Sequence, residues 1–431
     1  MTDVLVIEGL SGERRLMGEI PVYGGKNAAL LMFPAALLFS DPVTLTNIPE
    51  TEDIRRMIEL LRSCGVEIIH KEANTYTVKC LKDSLKTNLN KEIVGKIRAS
   101  VFLIAPLLSR FGKVSLPHPG GDNIGPRPVD LFIEGFERMG ASCISKDDTY
   151  IFDTKGKKLF GAEIFLRIQS VGVTQSLMLA GVLAKGKTII KNAAMEPEIV
   201  SVAEYLNECG AKIKGAGTPI IEVEGGELLK SKGRKFTAIP DRLETGTFLI
   251  LGVLAGKDIK VTNCIPEHIE SLLSVLSIIT NSTITKGKDF IRVENKAPLA
   301  VKPIDVRTHE YPGFASDLQP PFVVLLTQAE GKSLLFETIY EERFNYVGNL
   351  INMGAKIITY DPHRISVRGK TPLHAATNTS PDIRAGLAYV LAAIIAKGTS
   401  VIHNVYVIDR GYEKIEERLS KIGVPIKRTK A

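Results

Sequence analysis

The sequence predicts an α/β protein of two lobes, each made of three repeats with buried helices inside and sheets outside. Three observations lead there. A short phrase recurs six times, a second phrase follows it by about 25 residues, and the segment before each first phrase is nearly all apolar. A helix that is apolar on every side belongs in an interior, and a fixed period marks a repeat architecture.

The first phrase is clearest at Gly186-Lys-Thr-Ile-Ile-Lys-Asn192. It returns at Gly112-Lys-Val-Ser-Leu-Pro117, Gly331-Lys-Ser-Leu-Leu-Phe336 and Gly398-Thr-Ser-Val-Ile-His-Asn404. Asp41-Pro-Val-Thr-Leu-Thr-Asn47 fits the same frame, and Gly256 to Asn263 fits with one extra residue. The starts at 41, 112, 186, 256, 331 and 398 lie 67 to 75 residues apart. Each copy reads as a strand.

The second phrase appears at Cys64-Gly-Val-Glu-Ile, Met139-Gly-Ala-Ser-Cys-Ile, Cys209-Gly-Ala-Lys-Ile, Met353-Gly-Ala-Lys-Ile and Ile422-Gly-Val-Pro-Ile. Only the fourth repeat lacks it. Its glycine closes a charged amphipathic helix, such as Asp53 to Ser63 or Tyr412 to Lys421, in the left-handed cap that glycine permits. The apolar segments are 28–39, 101–108, 177–183, 247–254, 322–327 and 385–396. In a doubly wound sheet the parallel strands would be the most apolar elements. Here the helices are.

Polar residues stand at the start of these helices: Lys26-Asn27, Arg98, Ser170, Glu244-Thr245, Ser316-Asp317, and Asp382 with Arg384. Helix N-termini attract anions, so lobes facing through these ends would form an anion trap. For Ser316 and Asp382, plain capping is an equal alternative. For Lys26, Arg98 and Arg384 it is not, because a cation is unfavourable there.

Composition sets outer limits. A chain of 431 residues with 44% apolar and 24% charged residues is globular and long enough for two or three domains. The net charge of +7 is mild and suits anionic small substrates; no nucleic-acid partner is indicated. Five cysteines without a C-x-x-C, and histidines without ligand spacing, point to a reduced protein with no metal. The apolar runs are too short for a bilayer, and Met1 to Glu8 shows no secretory pattern. The expectation is a cytoplasmic protein without membrane insertion.

Other motifs fail on context. Gly181 to Thr188 matches the P-loop spacing, but a helix precedes it and a strand follows, the reverse of what a P-loop needs. The basic run Lys427 to Lys430 reads as a solvated end. The segment 117–128 holds four prolines and three glycines in twelve residues and carries Asp122 and Arg127. It reads as a mobile lid with chemistry on it, or as a long surface turn.

Several of these segments together resemble the UDP-N-acetylglucosamine 1-carboxyvinyltransferases. They are Gly24-Gly-Lys-Asn-Ala-Ala29, Arg98-Ala-Ser100, Ile124 to Leu131, Ser170-Val-Gly-Val-Thr174, Asn192 to Glu198, Pro240 to Phe248, Tyr311 to Gln319, Glu342-Arg-Phe344, Asp382-Ile-Arg384 and Asp409-Arg-Gly-Tyr412. The resemblance runs essentially end to end. It implies the two-lobed inside-out α/β barrel of the enolpyruvyl transferase fold. One lobe would span 26–239 with the lid 117–128, the other 1–25 plus 240–431, with the active site in the cleft between them.

By the same resemblance, the enzyme would transfer the enolpyruvyl group of phosphoenolpyruvate to the 3-hydroxyl of UDP-N-acetylglucosamine. It would release phosphate and open peptidoglycan synthesis, hence cell wall biogenesis, without a cofactor. Asp122, Asp317, Lys26 and Arg410 would be catalytic. Lys26, Asn27, Arg127, Arg343, Arg384 and Arg410 would bind phosphoenolpyruvate. Arg98, Arg127, Pro128, Val129, Asp130, Leu131, Ser170, Val171, Gly172, Asp317 and Ile339 would bind the nucleotide sugar. Two departures stand out. Asp122 replaces the cysteine that most members carry in the lid, which implies fosfomycin resistance, and Ile168 stands where some carry lysine. Alternatives are another acceptor, shikimate 3-phosphate or a different nucleotide, and a non-catalytic UDP-sugar sensor.

Overall fold

The computed structural model describes residues 2–80, 85–122 and 124–430. Helices occupy the six apolar segments: α1 Lys26–Ala36, α2 Ile104–Phe111, α3 Val171–Leu183, α4 Arg242–Ala255, α5 Gln319–Leu326 and α6 Ile383–Ile395. Every residue of α6 is buried. A strand follows each helix: β1 Val43–Thr46, β2 Lys113–Pro117, β3 Lys187–Lys191, β4 Gly256–Thr262, β5 Lys332–Phe336 and β6 Thr399–His403. Five of the six helices begin earlier than their apolar runs, because a first turn needs polar acceptors for its free N–H groups; α2 begins inside its run, after the 3-10 turn Arg98–Leu103. Asp241 caps α4 through the amides of Leu243 and Glu244 (2.8 and 3.0 Å), and Ser170 caps α3 through Val173 (3.4 Å).

The glycines of the second phrase adopt the left-handed conformation, with φ of 95° at Gly65, 92° at Gly140, 106° at Gly210, 99° at Gly354 and 95° at Gly423. In the fourth repeat, the helix Glu270–Ile279 ends instead on Thr280 in extended conformation. A strand follows without the glycine turn.

Five four-stranded sheets and one three-stranded sheet are formed among the described residues. In each larger sheet the repeat's strand has one antiparallel and one parallel neighbour; the antiparallel one belongs to a hairpin in four sheets and is Asp3–Glu8 in the sheet of β6. For β3, β5 and β6 that parallel neighbour directly precedes the helix: Glu163–Phe165, Val306–Arg307 and Thr377–Thr379. For β1 it is Lys235–Thr237, and for β4 it is Leu16–Pro21.

Four asparagines lock this arrangement. Asn47, Asn192, Asn263 and Asn404 follow their strands at φ of 55 to 58°, a region asparagine tolerates. Each donates Nδ2 to the carbonyl just past the parallel neighbour, at Ala238 (2.8 Å), Leu166 (2.8 Å), Val22 (2.6 Å) and Ser380 (2.9 Å).

The chain forms two compact units. A central unit comprises Gly24–Gly121 and Arg127–Ile239, and a terminal unit comprises Met1–Tyr23, Asp122–Pro126 and Pro240–Ala431. Each has its own apolar core built on three of the helices. In the central unit Gly24 has to be glycine, since a Cβ there would lie 1.7 Å from the Asn47 carbonyl oxygen.

Two sequence readings resolve here. The P-loop look-alike is the end of α3 running into β3, a helix before a strand. The basic C-terminal run is solvated at Lys427 and Lys430, which are exposed, but not at Arg428. The run forms the strand Ile426–Lys430 against Asp3–Glu8, and Arg428 grips Asp409 (2.8 and 2.7 Å) and Glu416 (2.6 and 3.0 Å). Four carboxylate oxygens around one guanidinium outweigh its pull toward water.

Within the central unit, Asp41 ties the start of β1 to the return segment. Its carboxylate accepts from the Ser231 amide and hydroxyl (both 2.8 Å) and the Lys232 amide (3.3 Å). Burial pushes this carboxyl up, but the hydrogen bonds outweigh it and hold the pKa below the ordinary value. A depressed carboxyl stabilises the fold above its unfolded pKa of about 3.9, and the contribution is lost as pH falls through the folded value. Asp41→Asn is therefore expected to cost about 1 kcal/mol at pH 7 and less near pH 3, measured by urea unfolding at both pH values.

Candidate functional site

In the central unit, Lys26 and Asn27 open α1, whose preceding residue Gly25 has no side chain to cap it. A lysine at this end of a helix meets the positive end of the dipole. The fold offsets that with Asp53, 3.0 Å from the Lys26 ammonium, and both residues are buried. Asp53 lies on the helix Glu52–Ser63, on its buried face with Met57, Leu60 and Leu61.

Arg98 opens a 3-10 turn, Arg98–Leu103, ahead of α2. Its guanidinium donates to the carbonyls of Arg127 and Pro128, so the two predicted anion-binding arginines are brought together. The lid glycines make room for them. A Cβ on Gly121 would lie 2.7 Å from Arg127 Nη2 and 2.8 Å from Arg98 Cβ, and one on Gly120 would lie 1.8 Å from the Gly95 carbonyl oxygen. Val129 precedes the helix Asp130–Arg138, with Asp130 and Leu131 in its first turn. Asp130 pairs with Arg167 at the surface. Ser170 caps α3, Val171 and Gly172 begin it, and Gly172 packs on the rings of Phe132 and Phe102. Ile168 is exposed nearby in sequence.

In the terminal unit, Asp317 sits in the turn Ser316–Leu318 just before α5. Arg343 donates to one of its oxygens (2.7 Å) and Arg384, at the start of α6, to the other (3.1 Å). Arg343 is 1% and Arg384 4% exposed. Burial opposes the charge on both guanidiniums. Asp317 and Asp382 restore it for Arg343, and Tyr412 and Asp317 for Arg384, so both stay above the ordinary arginine pKa.

Asp382 caps α6 through the amides of Arg384 (2.9 Å) and Ala385 (3.0 Å) and lies 3.6 Å from Arg343. Burial pushes the Asp382 carboxyl up, against the pull of Arg343. Arg384 also donates to the Tyr412 hydroxyl (2.8 Å). Of the two open capping readings, Asp382 is a cap. Ser316 is not, for its hydroxyl donates to Glu337 (2.9 Å).

The terminal unit also includes lid residues Asp122–Pro126, of which Asn123 lies outside the described residues. Arg410, at the end of the helix Val405–Asp409, donates to Asp122. Ile124 and Gly125 rest on the backbone of Glu341 and Glu342. Ile339 follows β5, half-buried.

Three supporting residues escaped the sequence reading: Asp53, Glu337 and Arg428. Asp53 left a signal, a carboxylate in line with the apolar stripe of an amphipathic helix. Glu337 left one too, standing where other repeats place asparagine. Arg428 left none, because its partners Asp409 and Glu416 are distant in sequence. Among the described residues, no group of three or more His, Cys, Asp or Glu side chains is placed to hold a metal ion.

The profile of the EPSP synthase (3-phosphoshikimate 1-carboxyvinyltransferase) family matches residues 10–419. The UDP-N-acetylglucosamine 1-carboxyvinyltransferase of Acidobacterium capsulatum is 43% identical over 423 residues, covering 97% of this chain and 95% of that one. The enzyme of the same name from Desulfatibacillum aliphaticivorans is 39% identical, covering 99% and 100%. Two solved structures share the fold. The enolpyruvyl transferase NikO from Streptomyces tendae has a TM-score of 0.86 at 23% identity, covering 100% of this chain and 99% of that one. EPSP synthase from Acinetobacter baumannii has a TM-score of 0.76 at 17% identity, covering 100% of both chains. With the predicted repeats in place and full-length relatives at this identity, the chain belongs to the UDP-N-acetylglucosamine 1-carboxyvinyltransferases of the enolpyruvyl transferase family.

Proposed function

We propose that this chain transfers the enolpyruvyl group of phosphoenolpyruvate to the 3-hydroxyl of UDP-N-acetylglucosamine, releasing phosphate by addition and elimination. This is the first committed step of peptidoglycan synthesis. The acceptor follows from the relatives at full length, not from the fold, which the shikimate enzymes share. The observation that carries the residue assignments is Asp317 lodged between two buried guanidiniums, a site built for anions beside a carboxylate.

The reaction needs a base for the hydroxyl proton, an acid for the methylene carbon, and cations for carboxylate and phosphate. Asp317 is the base. Both its oxygens already accept charged hydrogen bonds, so it becomes available as the substrate's anions draw Arg343 and Arg384 away. Lys26, Asn27, Arg127 and Arg410 complete the anion contacts, the arginines through a fork that suits two oxygens at once. Arg98, Val129 to Leu131, Ser170 to Gly172 and Ile339 hold the nucleotide sugar.

Asp122 is the acid: once Arg410 turns to the phosphate, its carboxylate takes up a proton and passes it to the methylene carbon. Lys26 assists by neutralising the leaving group. Among the described residues no helix is long and apolar enough to cross a membrane, and the proposed substrates place the work in the cytoplasm. Burial raises the pKa of every cysteine thiol, Cys64, Cys143 and Cys264 to about 11, so none offers an accessible thiolate near neutrality.

Three outcomes are expected. Phosphate release from phosphoenolpyruvate should require UDP-N-acetylglucosamine, should not occur with shikimate 3-phosphate, and should survive fosfomycin. Release with neither acceptor would move the function toward a sensor. Asp122→Cys should become sensitive to time-dependent inactivation by fosfomycin, followed by residual activity and intact mass. Asp317→Ala should lower kcat by at least about a hundredfold and cost about 2 kcal/mol of stability, since it strips a charged partner from two buried arginines. Single-turnover kinetics and thermal melting check the two parts.

A further inference from the structure

The fifth repeat departs from the asparagine lock. Glu337 stands where Asn47, Asn192, Asn263 and Asn404 stand in their repeats. The tie to the parallel strand is not lost. Thr308 follows the strand Val306–Arg307, and its carbonyl accepts from the Thr338 hydroxyl (2.7 Å), one residue further along. Glu337 is thereby released from the job that its position performs elsewhere.

Its side chain nonetheless has defined partners. Glu337 is 0% exposed. One carboxylate oxygen accepts from the amides of Ile339 (2.8 Å) and Tyr340 (3.3 Å), and the other from the Ser316 hydroxyl (2.9 Å). A buried carboxylate is costly unless its lone pairs are filled. Four repeats fold with a neutral asparagine at this place, so the repeat itself does not call for one. What the carboxylate adds is a bridge between two stretches of chain. Ser316 directly precedes Asp317. Ile339 and Tyr340 begin the stretch that runs to Arg343, whose guanidinium lies over the Tyr340 ring at 5.9 Å.

We propose that Glu337 is a positioning residue for the transfer reaction. It ties the turn bearing Asp317 to the segment bearing Ile339 and Arg343, and so fixes the base relative to its arginine and to the nucleotide contact. This rests on the functional reading above. A displacement of about 1 Å at such a site is enough to cost up to a hundredfold in rate.

The geometry makes separable demands. Glu337→Gln keeps one oxygen for the two amides, and its new amino group can donate to the Ser316 hydroxyl, which then accepts. It should retain kcat and KM within about threefold. Glu337→Asp is one methylene too short to span both sides, and Glu337→Ala spans neither. Both should lose at least about tenfold in kcat and raise KM for UDP-N-acetylglucosamine.

Ser316→Ala cuts only the Asp317 side, so it should lower kcat and leave that KM unchanged. Combined with Glu337→Ala it should add no further loss in kcat. The measurement is steady-state kinetics of the five variants, each checked for folding by thermal melting. A folded Glu337→Ala with unchanged kcat and KM, or Ser316→Ala with wild-type kcat, overturns the proposal, and Ser316→Ala serves even if Glu337→Ala fails to fold. Glu337→Gln as impaired as Glu337→Ala also overturns it, by showing that charge rather than geometry is needed. Asp317→Ala is the control. If it too keeps full activity, the assignment of Asp317 has failed rather than the tether.

Discussion

Helices without a polar face can offer a protein interior only their ends. That constraint organises this molecule. The backbone of α1 to α6 satisfies itself along most of its length, and what remains is the first turn of N–H groups. With apolar side chains on all sides of α6, for example, the polar groups are forced to Asp382 and Arg384 at its start. The same arrangement that makes the cores dry also collects polar atoms at a few helix ends. It gives each end a positive potential. A site for anionic substrates needs those two properties.

The cations there create a difficulty that the structure resolves by pairing. Lys26 at α1 and Arg384 at α6 sit against the dipole and away from water. Each has a carboxylate within hydrogen-bond reach, Asp53 and Asp317. A buried charge left without a partner is strongly destabilising, whereas exchanging one anion for another is not. The pairs are therefore a resting state that an incoming phosphate or carboxylate can replace at small net cost. On the proposed roles, Asp317 is the group freed in this way for the chemistry. Stability without substrate and readiness toward it come from the same contacts.

The architecture was legible in the sequence because it is written six times. Hydrophobicity located every core helix, and the glycine after each outer helix located its end. The missing glycine of the fourth repeat was equally informative. The helix starts were less visible, since an apolar run marks a helix's interior and not its polar first turn. Thus α4 begins at Arg242 although its apolar run begins at Thr247. Lys26, Asp317 and Arg384 were legible as polar residue types at helix starts. They were not legible as pairs. Asp53 and Lys26, or Asp409 and Arg428, meet only through the fold, and nothing in local spacing joins them. Within the C-terminal basic run Arg428 was misread for that reason: charge near a chain end suggests solvent until a strand partner and two carboxylates are seen.

Repetition also explains how new features entered without loss of the fold. Four repeats share one lock, an asparagine in left-handed conformation tied past the parallel strand. The two that lack it have been modified at the same point. In the second, the sheet has three strands, the position after β2 is His118, and the chain runs on into the Pro- and Gly-rich segment with Asp122 and Arg127. In the fifth, the lock moves one residue to Thr338, and Glu337 reaches toward the turn of Asp317. A position fixed by the fold in four copies is open to other uses in the remaining two, provided that the strand end is secured some other way. The fifth repeat shows that provision met, by a hydroxyl in place of an amide. The second shows another solution, in which the parallel neighbour shrinks to a single bridge between Asn88 and Ser115, held by the backbone bonds of Ser115 to Thr87 and Leu89.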